Sequence, residues 1–438
     1  MIKQWLADRI FRRMLKNISW LLLGRVITGL AGLVYLSLIT HHLGAETFGT
    51  LILVQTYIQT IIVLTTFRSS QAVIRYGTVC LETQDKRGFH NLLKFTTLLD
   101  ILGVIIGFLV AWFCAPILGF YLGWMPDLIA QVQLCSIAIL FAVKSTPEGL
   151  LRLYNRFDLL AFQLVVLPII CLLGTIIAVM VEAPFWGYLL VWFIANVFDG
   201  LLLMGTGLYE AINQGAMETI DSSISNLTKE HPGLWKFCLA SNLDSSLPTI
   251  MRQATPIVIG LISTPTAVGL FRIGYELSTP LKDLAELFAH PLYPELARFS
   301  HQQKVNKFRE LIIKTSKVST GVGVLMFLTF TLVGKTILSY GFGDEFKAAY
   351  GISLLLVGAE VLTMANCSLE PALYALGYPS LSLKVNGITI VFIYFPLLIL
   401  LTHAFGFIGA GVATLAATCL IFILNGAATW LQLKKEIV

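Results

Sequence analysis

Apolar stretches of about 20 residues alternate with short polar segments along most of this chain. That is the length an α-helix needs to cross the hydrocarbon core of a bilayer. The pattern predicts twelve spans, roughly 18–40, 48–67, 92–113, 128–144, 158–181, 184–207, 236–262, 266–290, 310–334, 347–373, 380–402 and 406–433. The fourth is short and can continue inward as a helix through Pro147. The predicted fold class is therefore an all-α polytopic membrane protein. The basic start, MIKQWLADRIFRRMLKNISW, precedes an apolar run too long for a signal-peptide core, so the first span is predicted to be uncleaved.

One stretch breaks the pattern. Residues 236–296 have the apolar content of a membrane hairpin turning at Ser263-Thr264-Pro265. They nonetheless carry Asp244, Arg252, Arg272, Glu276, Lys282, Asp283 and Glu286, with Asn242, Pro248, Pro256 and Pro280 among them. A charge left at the bilayer centre costs about 2.5–3.5 kcal/mol on insertion scales. These groups must therefore pair with one another, face water or meet a polar ligand.

Composition agrees with the spans: the 438 residues are 56% hydrophobic and 13% charged, with a mean hydropathy of +0.80. Soluble domains carry about 25% charged residues. With an even number of spans, 24 of the 30 Lys and Arg fall on the side that holds both termini. By the positive-inside rule both ends are predicted to be cytoplasmic. The polar segment 208–235 is the longest predicted loop and lies at the chain's midpoint, so it is read as a linker. It would join an N-lobe, 1–207, to a C-lobe, 236–438. A repeat supports two lobes: Gly49 in LGAETFGTL matches Gly269 in STPTAVGLF, and Leu153-Tyr154 matches Leu373-Tyr374, both at an offset of 220 residues. Each lobe would hold six helices running in the same direction.

Several motifs carry no chemistry. Val333-Gly334-Lys335-Thr336 lacks the first glycine of a phosphate loop, since position 329 is Thr, and closes a span on the outer side. Seven cysteines and seven histidines show no metal-ligand or disulfide spacing. Nothing marks a catalytic centre, a cofactor site or a nucleic-acid surface.

The candidate site residues are the intramembrane charges. Arg25, in LLLGRVITGL, either snorkels to the interface or lines an inward-opening cavity, and its depth favours the cavity. Asp199 of span six could pair with it or with an arginine of the second half. If span seven ends near Ile262, Arg252 lies about 15 Å below that end, level with Glu276 across the hairpin. Arg272 and Glu276 are neighbours at i,i+4, as are Lys282 and Glu286. Two guanidiniums facing one carboxylate either lock two helices together or bind a diphosphate, whose oxygens a planar guanidinium takes two at a time. Pro280 is expected to bend span eight. Glu360, Thr363, Cys367, Glu370 and Tyr374 would fall on one face of span ten. Asp244 and Asn242, with Asn386 and Thr389 of span eleven, could surround a cation.

The stretches LITHHLGAETFGTLILVQTYIQTIIVLTTFRSSQAVIRYG and STPEGLLRLYNRFDLLA resemble Wzx-type polysaccharide flippases. That family belongs to the multidrug/oligosaccharidyl-lipid/polysaccharide exporter superfamily. The resemblance implies a MATE-like fold of two six-helix lobes with alternating access in the bacterial inner membrane. It implies movement of undecaprenyl-diphosphate-linked oligosaccharide to the outer leaflet for O-antigen, capsule or exopolysaccharide, with polymerase and chain-length proteins as partners. It assigns Arg25 and Arg272 to the diphosphate, and raises Na+ or H+ coupling through Asp244 and Asn386. Two rivals remain. A multidrug exporter of the same fold should present an acidic, aromatic cavity, whereas Arg25, Arg252, Arg272 and Lys282 are basic. A membrane polymerase would need a larger outer loop than any here.

Overall fold

A computed structural model describes residues 9–67, 69–215 and 249–437; Asp244 and most of the predicted linker lie outside them. The described residues are almost wholly helical, without strands. In chain order the helices are α1 (Arg9–Thr65), α2 (Ser70–Glu82), α3 (Lys86–Leu122), α4 (Pro126–Ser136), α5 (Ser145–Leu153), α6 (Phe157–Met180) and α7 (Phe185–Asn213). They continue as α8 (Thr249–Ile262), α9 (Pro265–His301), α10 (Val305–Phe342), α11 (Tyr350–Asn366), α12 (Leu369–Ala375), α13 (Pro379–Ile388), α14 (Phe395–Phe405) and α15 (Phe407–Ile437).

Breaks between spans fall where the backbone can leave the helix. α1 holds the first two predicted spans, separated at Gly44, whose φ of 71° suits glycine. The amide of Ala45, newly orphaned by that break, donates to Glu345 Oε2 at 2.9 Å. Gly123 ends α3 in a left-handed conformation, and Gly343 and Gly406 stand at later breaks with φ of 103° and 62°. Asp85 caps α3 by accepting from the Gly88 amide at 2.9 Å, and Thr264 caps α9 through Ala267. Pro126 and Pro265 open their helices, where the missing N–H is no loss.

Two expectations change here. Span four does not run through Pro147 as one helix: a 3-10 turn, Ile137–Phe141, and a break at 142–144 divide α4 from α5. Proline disfavours helical backbone in the residue before it and donates no bond to the preceding turn, so Pro147 fits the first turn of a new helix better than an interior. Span ten is likewise divided between α11 and α12, which splits its expected polar face: Glu360 and Thr363 lie before the break, Glu370 and Tyr374 after it. In both places a short helix is followed by a left-handed residue, Asn155 (φ 58°) and Gly377 (φ 83°). The matching Leu-Tyr pairs of the repeat end these two short helices. α9, by contrast, stays helical through Pro280.

The described residues form two compact units, the first from Tyr57–Ile250 with the chain up to His42, the second from Leu43–Thr56 and Met251–Val438. In the first, α2, α3 and α5 bury Val73, Cys80, Phe89, Leu92 and Leu150 in one cluster. In the second, Leu292, Leu296, Phe308, Ile312 and Leu433 make another. Outward faces carry large apolar side chains, such as Phe120, Met180 and Leu332, which lipid covers.

Within the second unit the repeat-matched glycines meet. A methyl group on Gly49 would sit 1.7 Å from the Pro265 carbonyl oxygen, and one on Gly269 would sit 2.8 Å from that of Ala45. Backbone cannot yield as a flexible side chain can. Gly49→Ala is therefore expected to lower the thermal stability of the detergent-purified protein by about 1–3 kcal/mol. Gly29→Ala, with open space around the new methyl, should leave the melting curve in place.

Candidate functional site

Each unit buries polar side chains, and in the first they gather at a helix break. In the first unit, Asp100 of α3 is 3% exposed inside an otherwise apolar run. Its Oδ1 accepts from Ser69 Oγ at 2.7 Å and its Oδ2 from the Thr146 amide at 2.8 Å. That amide is among the orphan donors at the start of α5, so the carboxylate caps this short helix. The same break presents Lys144 to α7, where its Nζ lies 2.5 Å from Asp199 Oδ2. Gln163 of α6 donates to the other Asp199 oxygen at 3.3 Å. Asp199 thus pairs with Lys144 and Gln163, where an arginine had been expected.

Beside these groups is a cavity of about 360 Å³, lined in part by Gln59, Asp100, Lys144, Arg152, Trp192 and Asn196. Gln59 donates to Asn196 at 3.5 Å, and Arg152 pairs with Glu148 at 2.5 Å. Amides, paired charges and an indole offer hydrogen bonds and an apolar face together, which suits a polyhydroxylated ligand. Arg156 bridges to buried Glu210 at 2.6 Å in the turn before α6. Hydrogen bonding to Asp158, reinforced by the field of Glu210, raises its guanidinium above the usual arginine value.

In the second unit, Arg272 Nη2 lies 2.5 Å from Glu276 Oε1, the i,i+4 pair expected from spacing. Arg272 Nε is buried and has no hydrogen-bond partner in the protein. Arg252, on α8, is exposed and forms no ion pair with Glu276. The level arrangement across the hairpin therefore does not close into contact, because the i,i+4 neighbour on one helix reaches Glu276 first. The group among them all is Tyr275, which feels the charges of Arg252, Glu360, Arg272 and Glu276 and stacks on Phe271 at 6.3 Å.

Glu360 of α11 stands in the field of Lys282, Asp283 and Glu286. Glu360 Oε2 is buried without a partner. So are Ser382 Oγ, Asn386 Oδ1 and Thr389 Oγ1, which follow one another at helical spacing along α13 and the π-helical turn after it. Glu370 lies on α12, partly buried. Arg25 is exposed on α1, next to Gly24, which packs on the Ala161 backbone of α6. Among the described residues, no His, Cys, Asp and Glu gather into a group that could hold a metal ion.

The sequence reading missed Lys144, Asp100, Gln59, Asn196 and Tyr275. Asp100 carried a usable signal, an acid at the centre of an apolar run. Lys144 carried none, since by position it looks like an ordinary interfacial lysine.

A family model described as "Polysaccharide biosynthesis protein" matches residues 14–300. The Escherichia coli (strain K12) protein named "Inner membrane protein YghQ" is 27% identical over 351 residues, covering 80% of this chain and 98% of that one. A Haloferax volcanii protein named "Probable low-salt glycan biosynthesis flippase Agl15" is 23% identical over 157 residues, 36% of this chain and 33% of its own. Among solved structures, an inward-facing multidrug resistance MATE family transporter of the MOP superfamily superposes with a TM-score of 0.73 at 13% identity, covering 93% of this chain and 95% of its own. The lipid II flippase MurJ in an inward closed conformation gives 0.71 at 12% identity, covering 93% and 86%. At such identities the likeness is one of fold.

Lys144→Met should leave Asp199, 6% exposed, without its cation. The expected loss is about 1–3 kcal/mol, below the usual range for fully buried pairs because the Lys144 side chain is 33% exposed. Lys144→Met combined with Asp199→Asn should melt closer to the wild type than Lys144→Met alone. A double variant no more stable than the single one would show that Lys144 does not hold Asp199.

Proposed function

We infer that this chain, which belongs to the polysaccharide biosynthesis protein family, carries undecaprenyl-diphosphate-linked oligosaccharide from the inner to the outer leaflet of a bacterial inner membrane. The protein is a multi-pass membrane transporter of the flippase type and not an enzyme. Alternating access is the mechanism proposed, with both termini on the cytoplasmic side, where the Lys and Arg of the loops concentrate.

The observation that carries this reading is the Arg252–Arg272–Tyr275–Glu276 cluster. Arg272 is paired with Glu276 and keeps a buried Nε–H without an acceptor, and Arg252 adds a second positive charge felt at Tyr275. A diphosphate brings anionic oxygens in the planar, paired geometry that guanidinium forks bind best. It would complete the hydrogen bonding of Arg272 without displacing Glu276. The cavity at Trp192, Gln59 and Asn196 offers the glycan a chemistry to match. Names given to relatives, flippases of glycan biosynthesis among them, support the substrate class.

Coupling to an ion gradient fits the second unit best. Glu360 Oε2 and the unpartnered oxygens of Asn386 and Thr389 are acceptors that a proton or sodium ion would satisfy. The product would serve O-antigen, capsule or exopolysaccharide synthesis, with a polymerase and chain-length proteins as downstream partners.

Arg272→Glu is expected to abolish complementation of a flippase-null strain while protein abundance in the membrane stays at the wild-type level. Arg272→Lys should retain partial export, since an ammonium keeps the charge but loses the fork. Normal glycan export by Arg272→Glu would overturn the diphosphate assignment.

A further inference from the structure

We propose that the second unit holds an anionic phospholipid of the surrounding bilayer in a groove between α10 and α15. The groove has a volume of about 780 Å³. Small residues open it: Thr320 and Gly321 on α10, Gly426 and Ala427 on α15, with Val324 and Phe422 as apolar walls. A methyl group on Gly321 would meet no atom within 4 Å, and one on Gly426 only the Leu369 side chain at 3.7 Å. The concavity therefore reaches down to the helix backbone. From Lys317 to Val324 it follows α10 for about 10 Å at 1.5 Å per residue, enough for part of one acyl chain.

At one end the groove changes character. A second cavity, of about 490 Å³, shares Ile313 and Lys317 with it and adds Arg309, Lys314, Glu310 and Asn306. Residues 298–317 contain six Lys or Arg against one Glu. The Arg309 guanidinium lies 4.9 Å from the ring centre of Trp430, which lines the groove from α15. This stacking joins the two helices where the apolar and basic parts meet. Lys314 and Lys317 are exposed, so their ammonium groups are open to a ligand.

An apolar slot ending in three cations and one carboxylate matches an amphiphile with a phosphate headgroup. A free phosphate would leave the slot unused. A headgroup bearing an amine would set a cation against Arg309, Lys314 and Lys317, so phosphatidylglycerol suits the site better than phosphatidylethanolamine. The basic end lies at the start of α10, in the segment 298–317 assigned to the cytoplasmic face, whose leaflet supplies anionic lipids to juxtamembrane Lys and Arg. The phospholipid is also the amphiphile already surrounding these outward faces. This site is separate from the Arg272 cluster, and its existence does not rest on the transported substrate.

The test uses the full chain purified in detergent and titrated separately with phosphatidylglycerol, phosphatidylethanolamine and undecaprenyl phosphate, with native mass spectrometry as the readout. Wild type should retain phosphatidylglycerol over phosphatidylethanolamine by about tenfold, and Lys314→Gln with Lys317→Gln should remove that preference. Gly321→Trp, which fills open space, should lower retention of phosphatidylglycerol while leaving the lipid-free melting temperature unchanged. Equal retention of the two phospholipids by wild type would overturn the proposal. So would Gly321→Trp lowering retention of undecaprenyl phosphate instead of phosphatidylglycerol, or phosphatidylglycerol binding that Gly321→Trp does not affect.

Discussion

Inside a bilayer there is no water to complete a hydrogen bond, so every break in a helix must find its partners within the protein. That constraint organises this structure. Each interruption of a span leaves orphan amides and carbonyls, and a polar side chain is on hand for some of them. Between the first two spans, Glu345 receives the amide of Ala45 after Gly44. Asp100 receives that of Thr146 at the start of α5. The acids that look out of place in apolar runs are thus, in part, the means by which long helices are interrupted at all.

Once a break is stabilised, it becomes a place for chemistry. The interruption at 142–144 allows Lys144 to reach Asp199, and the cavity with Trp192 and Asn196 forms beside the pair. In the second unit the interruption between α11 and α12 leaves Glu360 on the longer segment, within the field of Lys282 and two further carboxylates. The second unit keeps an incompletely bonded guanidinium at Arg272 and unpartnered oxygens at Glu360, Asn386 and Thr389. Binding of an anion and coupling to a cation both need groups left short of partners, which is what these side chains bring to the proposed function.

The surface follows a different rule from the interior. Lipid accepts large apolar side chains without cost, so Leu332 or Phe120 standing outward needs no explanation. What needs one is a concavity lined by Thr320, Gly321, Gly426 and Ala427, where neighbouring helices could have packed closer with larger residues. Its basic end makes it more than a packing fault.

The sequence by itself determined the class of fold, because span length and apolar content follow from bilayer thickness and one-dimensional pattern suffices to read them. It determined the Arg272–Glu276 contact as well, since i,i+4 neighbours on a helix meet whatever surrounds them. It pointed to the repeat through Gly49 and Gly269, though not to their close approach. Only the tertiary structure decided the partner of Asp199, because a side chain pairs with whatever another helix brings within reach, and Lys144 lies 55 residues away across a helix break. The same holds for Tyr275, an unremarked aromatic until Arg252 and Glu360 arrive from other helices. Local periodicity fixes which residues share a helix face; the packing of helices fixes what that face meets.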